Sequence, residues 1–265
     1  MHSVIDTPDG TATGTAPIRL RRVTLDHPWR WLAAGWLDMC FEPAVSYLYG
    51  AMFTAIGLGL WLGLDALGLA WLVLPLALGF TLVGPAAAVG LYEVSRRLQR
   101  GEPVRLSDAL SAHRRNAGQI ALVGLFLLVA LLAWVRLAML EFMLFFGSAP
   151  PSLDGLLGTV LSDQGVPLLL LGAVSGGALG LAVFAMTAIA IPLLLDRPEC
   201  DAMTALLTSL DAVRLNPRPM LLWAGLIGFF TLVGVGLLFI GLVVMLPLLG
   251  HATWHAYDDL VERRP

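Results

Sequence analysis

From Pro219 to Tyr257 the chain reads PMLLWAGLIGFFTLVGVGLLFIGLVVMLPLLGHATWHAY, a stretch of 39 residues without a formal charge. A single helix of that length would extend about 58 Å, whereas the hydrocarbon core of a bilayer is only about 30 Å thick. Two spans joined by a turn fit better, and Gly234, Gly236 and Gly241 offer positions for the turn. The stretch therefore predicts a helical hairpin with spans at 219–237 and 239–257.

Four further stretches are long and apolar enough to cross a bilayer once each, at 43–64, 66–92, 116–140 and 165–195. Hydrophobic residues make up 58% of the chain and charged residues 13%, and the mean hydropathy is +0.81. Soluble domains are about 45–50% apolar and about 25% charged, so a soluble globular domain is excluded. The predicted fold class is all-α, a polytopic membrane protein with six transmembrane helices in one domain over residues 19–265.

The sixteen basic residues are all arginines, and with six spans fifteen of them fall on one side of the membrane. The loops on the other side carry Asp65, Asp154 and Asp163 and no cation. Because cytoplasmic loops retain Arg and Lys, this distribution predicts that both termini are cytoplasmic. Residues 1–18, rich in Thr, Gly, Pro and Ala, are predicted to form a disordered cytoplasmic tail.

Three segments on the arginine side have the apolar spacing of helices that lie in the membrane interface, at 29–41, 105–116 and 199–215. Each is followed by a span, and the second and third align at an offset of 100 residues with five identities in eleven positions. The second span of each pair also contains a proline, namely Pro85, Pro192 and Pro247. These features predict three parallel repeats, each an interfacial helix followed by a two-span hairpin.

Arg136 and Glu141 are the formal charges within a candidate span. Arg136 follows the cytoplasmic start of its helix by about 20 residues, so we expect it to reach the opposite interface, where a long side chain can contact water. A separation of five residues is unfavourable for pairing on one helix. We interpret both residues as interfacial anchors, with a buried functional pair as the alternative.

Glycines at four-residue spacing form two runs, Gly59–Gly63 and Gly172–Gly176–Gly180. Small residues at this spacing let helix backbones approach closely inside a membrane. We interpret both runs as packing sites within the chain, with contact between two copies as the alternative.

The segment His251-Ala-Thr-Trp-His255 is the most distinctive short motif in the chain. Two histidines at i and i+4 share a helix face and can chelate one metal ion, so His251 and His255 are candidate metal ligands. No third ligand follows nearby, and a haem would need an axial ligand from another helix, for which His27 and His113 are available. The alternative, which we favour, is that this aromatic segment belongs to the interfacial belt. We therefore predict no cofactor.

Several strings of residues are similar to those of a known family. They are Gly90-Leu-Tyr-Glu-Val-Ser-Arg-Arg97, Ile191-Pro-Leu-Leu-Leu-Asp-Arg197, Asp201-Ala-Met-Thr-Ala205 and, as the most specific, His251-Ala-Thr-Trp-His-Ala-Tyr257. Along residues 25–260 the chain resembles the bacterial integral membrane proteins grouped as domain-of-unknown-function family 2189. The resemblance implies a multi-pass protein of the bacterial inner membrane with six spans, and it implies no activity. Asp258 departs from the basic residue expected there.

Function is predicted by elimination. The chain contains no G-x-x-x-x-G-K, G-x-S-x-G, H-E-x-x-H or C-x-x-C motif, so enzymatic activity is not predicted. Asp, Glu, Lys and His are missing from the middle of every predicted span, and a coupled transporter ordinarily needs such a group there.

Two main hypotheses follow. The first is a non-catalytic accessory or assembly subunit of a membrane complex, for instance a respiratory one, acting through its lipid-facing surface and its arginine-rich collar. Its partners would be membrane lipids and other integral membrane proteins or a second copy, and not nucleic acid. The second is a small transporter or pore for neutral or lipid-like solutes, and a metal or haem protein using His251 and His255 is a distant third. A packed interior would favour the first hypothesis and a wet polar cavity the second.

Overall fold

The computed structural model of the protein describes residues 18–69, 72–147 and 162–263. Within these residues the chain is helical apart from short connections and one isolated antiparallel bridge, so the predicted all-α class is confirmed. The helices are α1 (His27–Phe41), α2 (Pro43–Ala66), α3 (Val73–Ala87), α4 (Val89–Gln99), α5 (Leu106–Ser111), α6 (Ala117–Phe146), α7 (Gly165–Thr187), α8 (Ala190–Asp196), α9 (Ala202–Leu215), α10 (Pro217–Gly236) and α11 (Leu242–Leu260). A 3-10 helix, Ala112–Asn116, joins α5 to α6.

Five helical stretches are long and apolar enough to cross a membrane, which supports an integral, multi-pass protein. They are Pro43–Ala66, Pro75–Gln99, Leu106–Phe146, Gly165–Asp196 and Pro217–Gly236. The second begins later than the predicted 66–92 because the chain first turns at Gly68, whose φ of +69° is readily accessible to glycine. The sixth predicted span, 239–257, corresponds to α11, which is not among the five, and six spans stay a prediction.

The turn of the predicted hairpin lies between α10 and α11, bounded by Gly236 and Gly241 as the sequence indicated. Leu238 and Phe239 have φ values of 54° and 65°, a backbone region that residues other than glycine rarely adopt. Helix α2 holds this turn, because the Thr54 hydroxyl donates to the Phe239 carbonyl at 3.0 Å.

Helix α11 lies at the centre of the described bundle, with α1, α2, α4 and α10 packed against it. Its neighbours approach through glycines. A Cβ added to Gly35 of α1 would lie 2.6 Å from the Ala252 nitrogen, and one added to Gly50 of α2 would collide with the Val243 carbonyl. Backbone therefore meets backbone at both crossings, and neither position has room for a side chain.

The ends of the described chain pair with each other. The Arg21 amide donates to the Leu260 carbonyl at 2.8 Å, and the Glu262 amide donates to the Arg19 carbonyl at 3.0 Å. Ile18, the last residue of the predicted tail, is described, and residues 1–17 lie outside the described residues. The start of the described chain is thereby tied to the end of the central helix.

The C-terminal ends of α4, α8 and α11 meet at one end of the bundle, where Arg100 pairs with Asp196 at 3.0 Å and Gln99 contacts Asp258 at 3.4 Å. We call this the arginine-rich end, since the predicted cytoplasmic arginines flank it. Its identity with the cytoplasmic side stays a prediction.

The helix order follows the predicted threefold pattern, with α1, α5 and α9 each preceding a long helix. The residues at the three junctions share an unusual backbone conformation, with φ from −149° to −123° and ψ from 53° to 62°; they are Glu42, Asn116 and Asn216. However, Pro85 precedes a helix interruption, Pro192 follows one and Pro247 lies in an unbroken helix. The repeat, and the placement of α1, α5 and α9 in an interface plane, stay predictions.

The glycine crossing makes a prediction about stability. Gly50→Ala should destabilise the fold by about 1–3 kcal/mol, because its methyl group forces α2 away from the α11 backbone. Gly59→Ala is the matched control on the same helix, since nothing lies within 4 Å of its added Cβ. The melting temperatures of the two variants are measured in detergent by heating samples and recording the fraction of protein that stays monodisperse. Equal melting temperatures for the two variants would contradict the described crossing.

Candidate functional site

A buried polar network at the arginine-rich end joins α1, α2, α4 and α11. Its members are Asp38, Ser46, Ser95, His251 and His255, and we call it the His251 network. The Ser95 hydroxyl donates to Oδ2 of Asp38 at 2.6 Å and lies 2.8 Å from Nδ1 of His251. Nε2 of His251 lies 3.0 Å from the Ser46 hydroxyl, and Nε2 of His255 lies 2.8 Å from the same Asp38 oxygen.

These partners assign the histidine protons. Because the Ser95 proton goes to Asp38, Ser95 accepts from a protonated Nδ1 of His251. The Ser46 hydroxyl, which lies 3.0 Å from Nε2 of His251, donates its single proton to the Glu42 carbonyl at 2.8 Å. His255 instead carries its proton on Nε2, which donates to Asp38. The two rings therefore face different partners, although they share one helix face as predicted.

The network contains the residue types of a hydrolase triad, but their order differs. In a triad the carboxylate orients the histidine and the histidine activates the serine. Here Ser95 lies between Asp38 and His251 and gives its proton to the carboxylate. Ser46, Ser95 and His251 are also completely buried, so no substrate reaches them in this conformation. The geometry favours a structural role, in which the hydrogen bonds of the network hold α1, α2, α4 and α11 together.

The described residues contain no group of three or more His, Cys, Asp or Glu side chains arranged to hold a metal ion. His251 directs its two ring nitrogens at two serines, and His255 directs one at a carboxylate. Metal binding by this pair stays a prediction.

A second ionic cluster surrounds Glu93, which is 2% exposed. Its two carboxylate oxygens accept from Nε and Nη2 of Arg96 at 2.8 and 2.7 Å, and Arg97 donates to it at 2.8 Å. Arg97 also pairs with Asp108 at 3.2 Å. The predicted arginine collar is therefore partly neutralised by the protein's own carboxylates, and those arginines are engaged internally rather than held ready for an acidic partner.

A large cavity lies beside the network, within the membrane-spanning helices. Its volume is about 1060 Å³, and α3, α4, α6, α7, α10 and α11 line it. It extends from Pro75 near the start of α3 to Tyr92 in α4, a separation of 17 positions that corresponds to about 25 Å of helix. The cavity is thus elongated and nearly as long as the hydrocarbon core is thick.

The cavity wall is almost wholly apolar. The hydroxyls of Thr81, Thr187 and Thr253 donate to carbonyls of their own helices, and the Trp134 indole donates to the Pro75 carbonyl at 2.8 Å. The two main hypotheses drawn from the sequence predict either a packed interior or a wet polar cavity. The structure shows neither, since the interior is open and apolar.

The exposed part of the cavity wall lies on α7 and α10. Helix α7 packs mainly on α6 and α9, and α10 packs mainly on α11, while both also contact α3. Four leucines line the cavity and are each about half exposed, namely Leu169, Leu181, Leu221 and Leu232. Glycines along the wall add width, because nothing lies within 4 Å of a Cβ added to Gly180 or Gly228.

The glycine runs have mixed roles. Gly176 packs on the ring of Trp134, 2.6 Å from its added Cβ, as a packing site predicts. Gly180 faces open space in the cavity, and Gly59 and Gly63 touch nothing in the described part of the chain. The prediction of packing within the chain is wrong for Gly59 and Gly63.

Arg136 and Glu141 also differ from each other. Arg136 is exposed on α6, consistent with an anchor. Glu141 is 6% exposed and lines the cavity, so its interpretation as an interfacial anchor is wrong. The two are not paired. The position of Glu141 along α6 predicts its depth in the membrane, but it does not predict whether the side chain faces the cavity or the lipid.

Sequence reasoning missed Asp38, Ser46 and Ser95. Each is an isolated polar residue in a different segment, so no local spacing connects them. The one available signal was the paired histidines, which mark the helix face that these residues cover.

Residues 73–196 match the model of the family described as predicted integral membrane protein (DUF2189), which confirms the resemblance over that range. The closing string His251–Tyr257 lies outside the matched residues. Neither the curated proteins nor the solved structures include a significant match to the chain.

The His251 network predicts a strong effect of removing its carboxylate. Asp38→Ala should lower stability by about 1–3 kcal/mol or more, because Ser95 and His255 lose their buried acceptor. Asp211→Ala is the matched control, since the Asp211–Arg214 pair is exposed and such pairs contribute about 0–1 kcal/mol. Thermal unfolding in detergent compares them. A similar small change in both variants would show that the network contributes little.

Proposed function

We propose that this integral membrane protein, whose residues 73–196 carry the family signature, is a non-catalytic binder of lipid-like molecules. The observation that carries the proposal is the elongated, largely apolar cavity of about 1060 Å³, which we infer opens to the lipid between the half-exposed walls of α7 and α10. This develops the sequence-based hypothesis of a protein that handles neutral or lipid-like solutes.

The cavity's size and shape support this class of ligand. Pockets for drug-sized ligands measure about 300–1,000 Å³, so this cavity reaches the upper end of that range. Its length of about 25 Å suits an extended acyl chain rather than a compact solute. Apart from Glu141 the described wall offers no charged group, so a sugar or an anion would lose its hydration there without a replacement, and burying such a group unpaired is costly.

The route of entry supports it as well. A lipid-like ligand is already dissolved in the bilayer, so it can enter between Leu181 and Leu221 without crossing water. The ligand would then exchange contact with bilayer lipid for contact with the cavity wall. Affinity would come from shape and van der Waals packing, as it does between transmembrane helices.

The accessory-subunit hypothesis gives the same opening a different occupant, an apolar helix of another membrane protein. We propose in addition that the chain lies in the bacterial inner membrane with both termini cytoplasmic, as the family resemblance and the arginine distribution imply. A photocrosslinking amino acid at Leu181 separates the two occupants in native membranes. A lipid-sized mass increase supports the proposal, and a protein adduct supports the accessory-subunit hypothesis.

Filling the cavity should weaken ligand binding strongly. The variant Gly180→Leu/Gly228→Leu introduces two side chains where nothing lies within 4 Å. Because these side chains occupy the space of the ligand's hydrocarbon chain and remove its van der Waals contacts with the wall, labelling of the cavity peptides should fall sharply. A 16-carbon alcohol bearing a diazirine serves as the probe, with protein in phosphatidylcholine vesicles and labelled peptides identified by mass.

The control is Gly63→Leu/Gly124→Leu, whose added Cβ atoms also meet nothing within 4 Å and which lie outside the cavity wall. It should label as the unmodified protein does. The proposal fails if cavity peptides show no saturable labelling, or if the filled and control variants label equally.

A further inference from the structure

Glu141 is the one formally charged residue among the described residues that line the cavity. It lies on α6 with 6% of its surface exposed, and its carboxyl group borders α7 at Gly172. An added Cβ at Gly172 would stand 3.5 Å from Oε2 of Glu141, which is ordinary contact. The carboxyl group therefore lies at the cavity wall, beside Gly172 of α7.

This carboxyl group has no partner within the described residues, where no ion pair or hydrogen bond of its side chain is found. Arg136, the nearest arginine in sequence, is exposed and takes part in none of the ion pairs of the described chain. Three of the four threonine hydroxyls of the wall, those of Thr81, Thr187 and Thr253, donate to backbone carbonyls instead. A carboxylate inside a membrane protein normally pairs with a cation or a hydrogen-bond donor. The space that such a group would occupy is the cavity itself.

The depth of Glu141 fits the head of an amphiphile. Gly172, its neighbour on α7, lies seven positions after the start of that helix at Gly165, or about 10 Å along the axis. The cavity continues from there toward Tyr92 at the arginine-rich end. A ligand head bound at Glu141 would therefore lie near the interface opposite the arginine-rich end, with its chain along the cavity.

Aromatic rings at the same end of the cavity favour a cation. Phe142 and Phe146 line the cavity within two turns of Glu141, and Trp134 lines it on the same helix. Ring faces attract ammonium groups, most strongly away from water. Carboxylate and rings together favour a positively charged head and disfavour an anionic one.

We propose that Glu141 binds the protonated amine of a lipophilic amine whose hydrocarbon chain occupies the cavity. This inference rests on the proposed function, since it names the ligand class of the same cavity. Glu141 binds the ligand without covalent chemistry, and no bond of the ligand is formed or broken.

The test uses two diazirine probes with the same 16-carbon chain, one ending in a primary amine and the other in an alcohol. With the protein in phosphatidylcholine vesicles at neutral pH, the amine should label cavity peptides about tenfold more efficiently, the size expected of a charge-assisted hydrogen bond. Glu141→Gln should reduce amine labelling to the level of the alcohol and leave alcohol labelling unchanged. Glu141→Asp should retain part of the preference.

Asp163→Asn is the control for general attraction of amines to acidic residues. Asp163 is exposed just before α7, at the same end of the bundle, and lies outside the cavity wall. Its replacement should leave the preference for the amine intact.

The possible results separate the two proposals. Equal labelling by both probes, unaffected by Glu141→Gln, would overturn the role of Glu141 while the lipid-binding function stands. Loss of both labels in a folded, monodisperse Glu141→Gln protein would also overturn it, because Glu141 would then shape the cavity rather than select the ligand. Absence of saturable labelling by either probe in the unmodified protein would overturn the proposed function itself.

Discussion

The burial of His251 sets the arrangement of the helices around α11. An imidazole that faced lipid would lose its hydrogen bonds, and an unpaired polar group in an apolar medium is costly. Each helix packed over it therefore brings a polar group to that point: α2 brings Ser46 and α4 brings Ser95, while α1 brings Asp38 for the serine and for His255. Since neither lipid nor water can replace these partners, the network selects one register for four helices at once.

The positions of the long helices could be predicted from the sequence because they depend on the length of the apolar stretches and on the charges between them. The turn between α10 and α11 fell between Gly236 and Gly241 as predicted, and the spans predicted at 43–64 and 165–195 have close limits. The span predicted at 66–92 lies at Pro75–Gln99 instead, and α6 continues to Phe146, six residues beyond the predicted 140. The inner and outer faces of the helices were not readable. In a membrane both protein interior and lipid are apolar, so periodicity does not report which face of α6 carries Glu141 inward. The partners of His251 were hidden for a different reason, since they come from three separate segments.

The cavity and the tight crossings use the same residue type in opposite ways. Where a partner backbone is present, as at Gly50 beside Val243, the missing side chain allows contact. Where no partner is present, as at Gly228, the missing side chain leaves space. Sequence spacing alone does not distinguish the two, and the run Gly172–Gly176–Gly180 contains both. The functional region is therefore a place where close packing was left incomplete, with one carboxyl group at its edge.

The position of the central helix along the chain has a consequence for biosynthesis. Helix α11 follows every other described helix, so α1, α2 and α4 leave the ribosome before the helix on which all three pack exists. During that interval Asp38 and Ser95 lack their hydrogen-bond partners His251 and His255. The nascent protein then depends on late arrival of one segment, and pairing of Arg21 with Leu260 closes the bundle only after translation has passed that point.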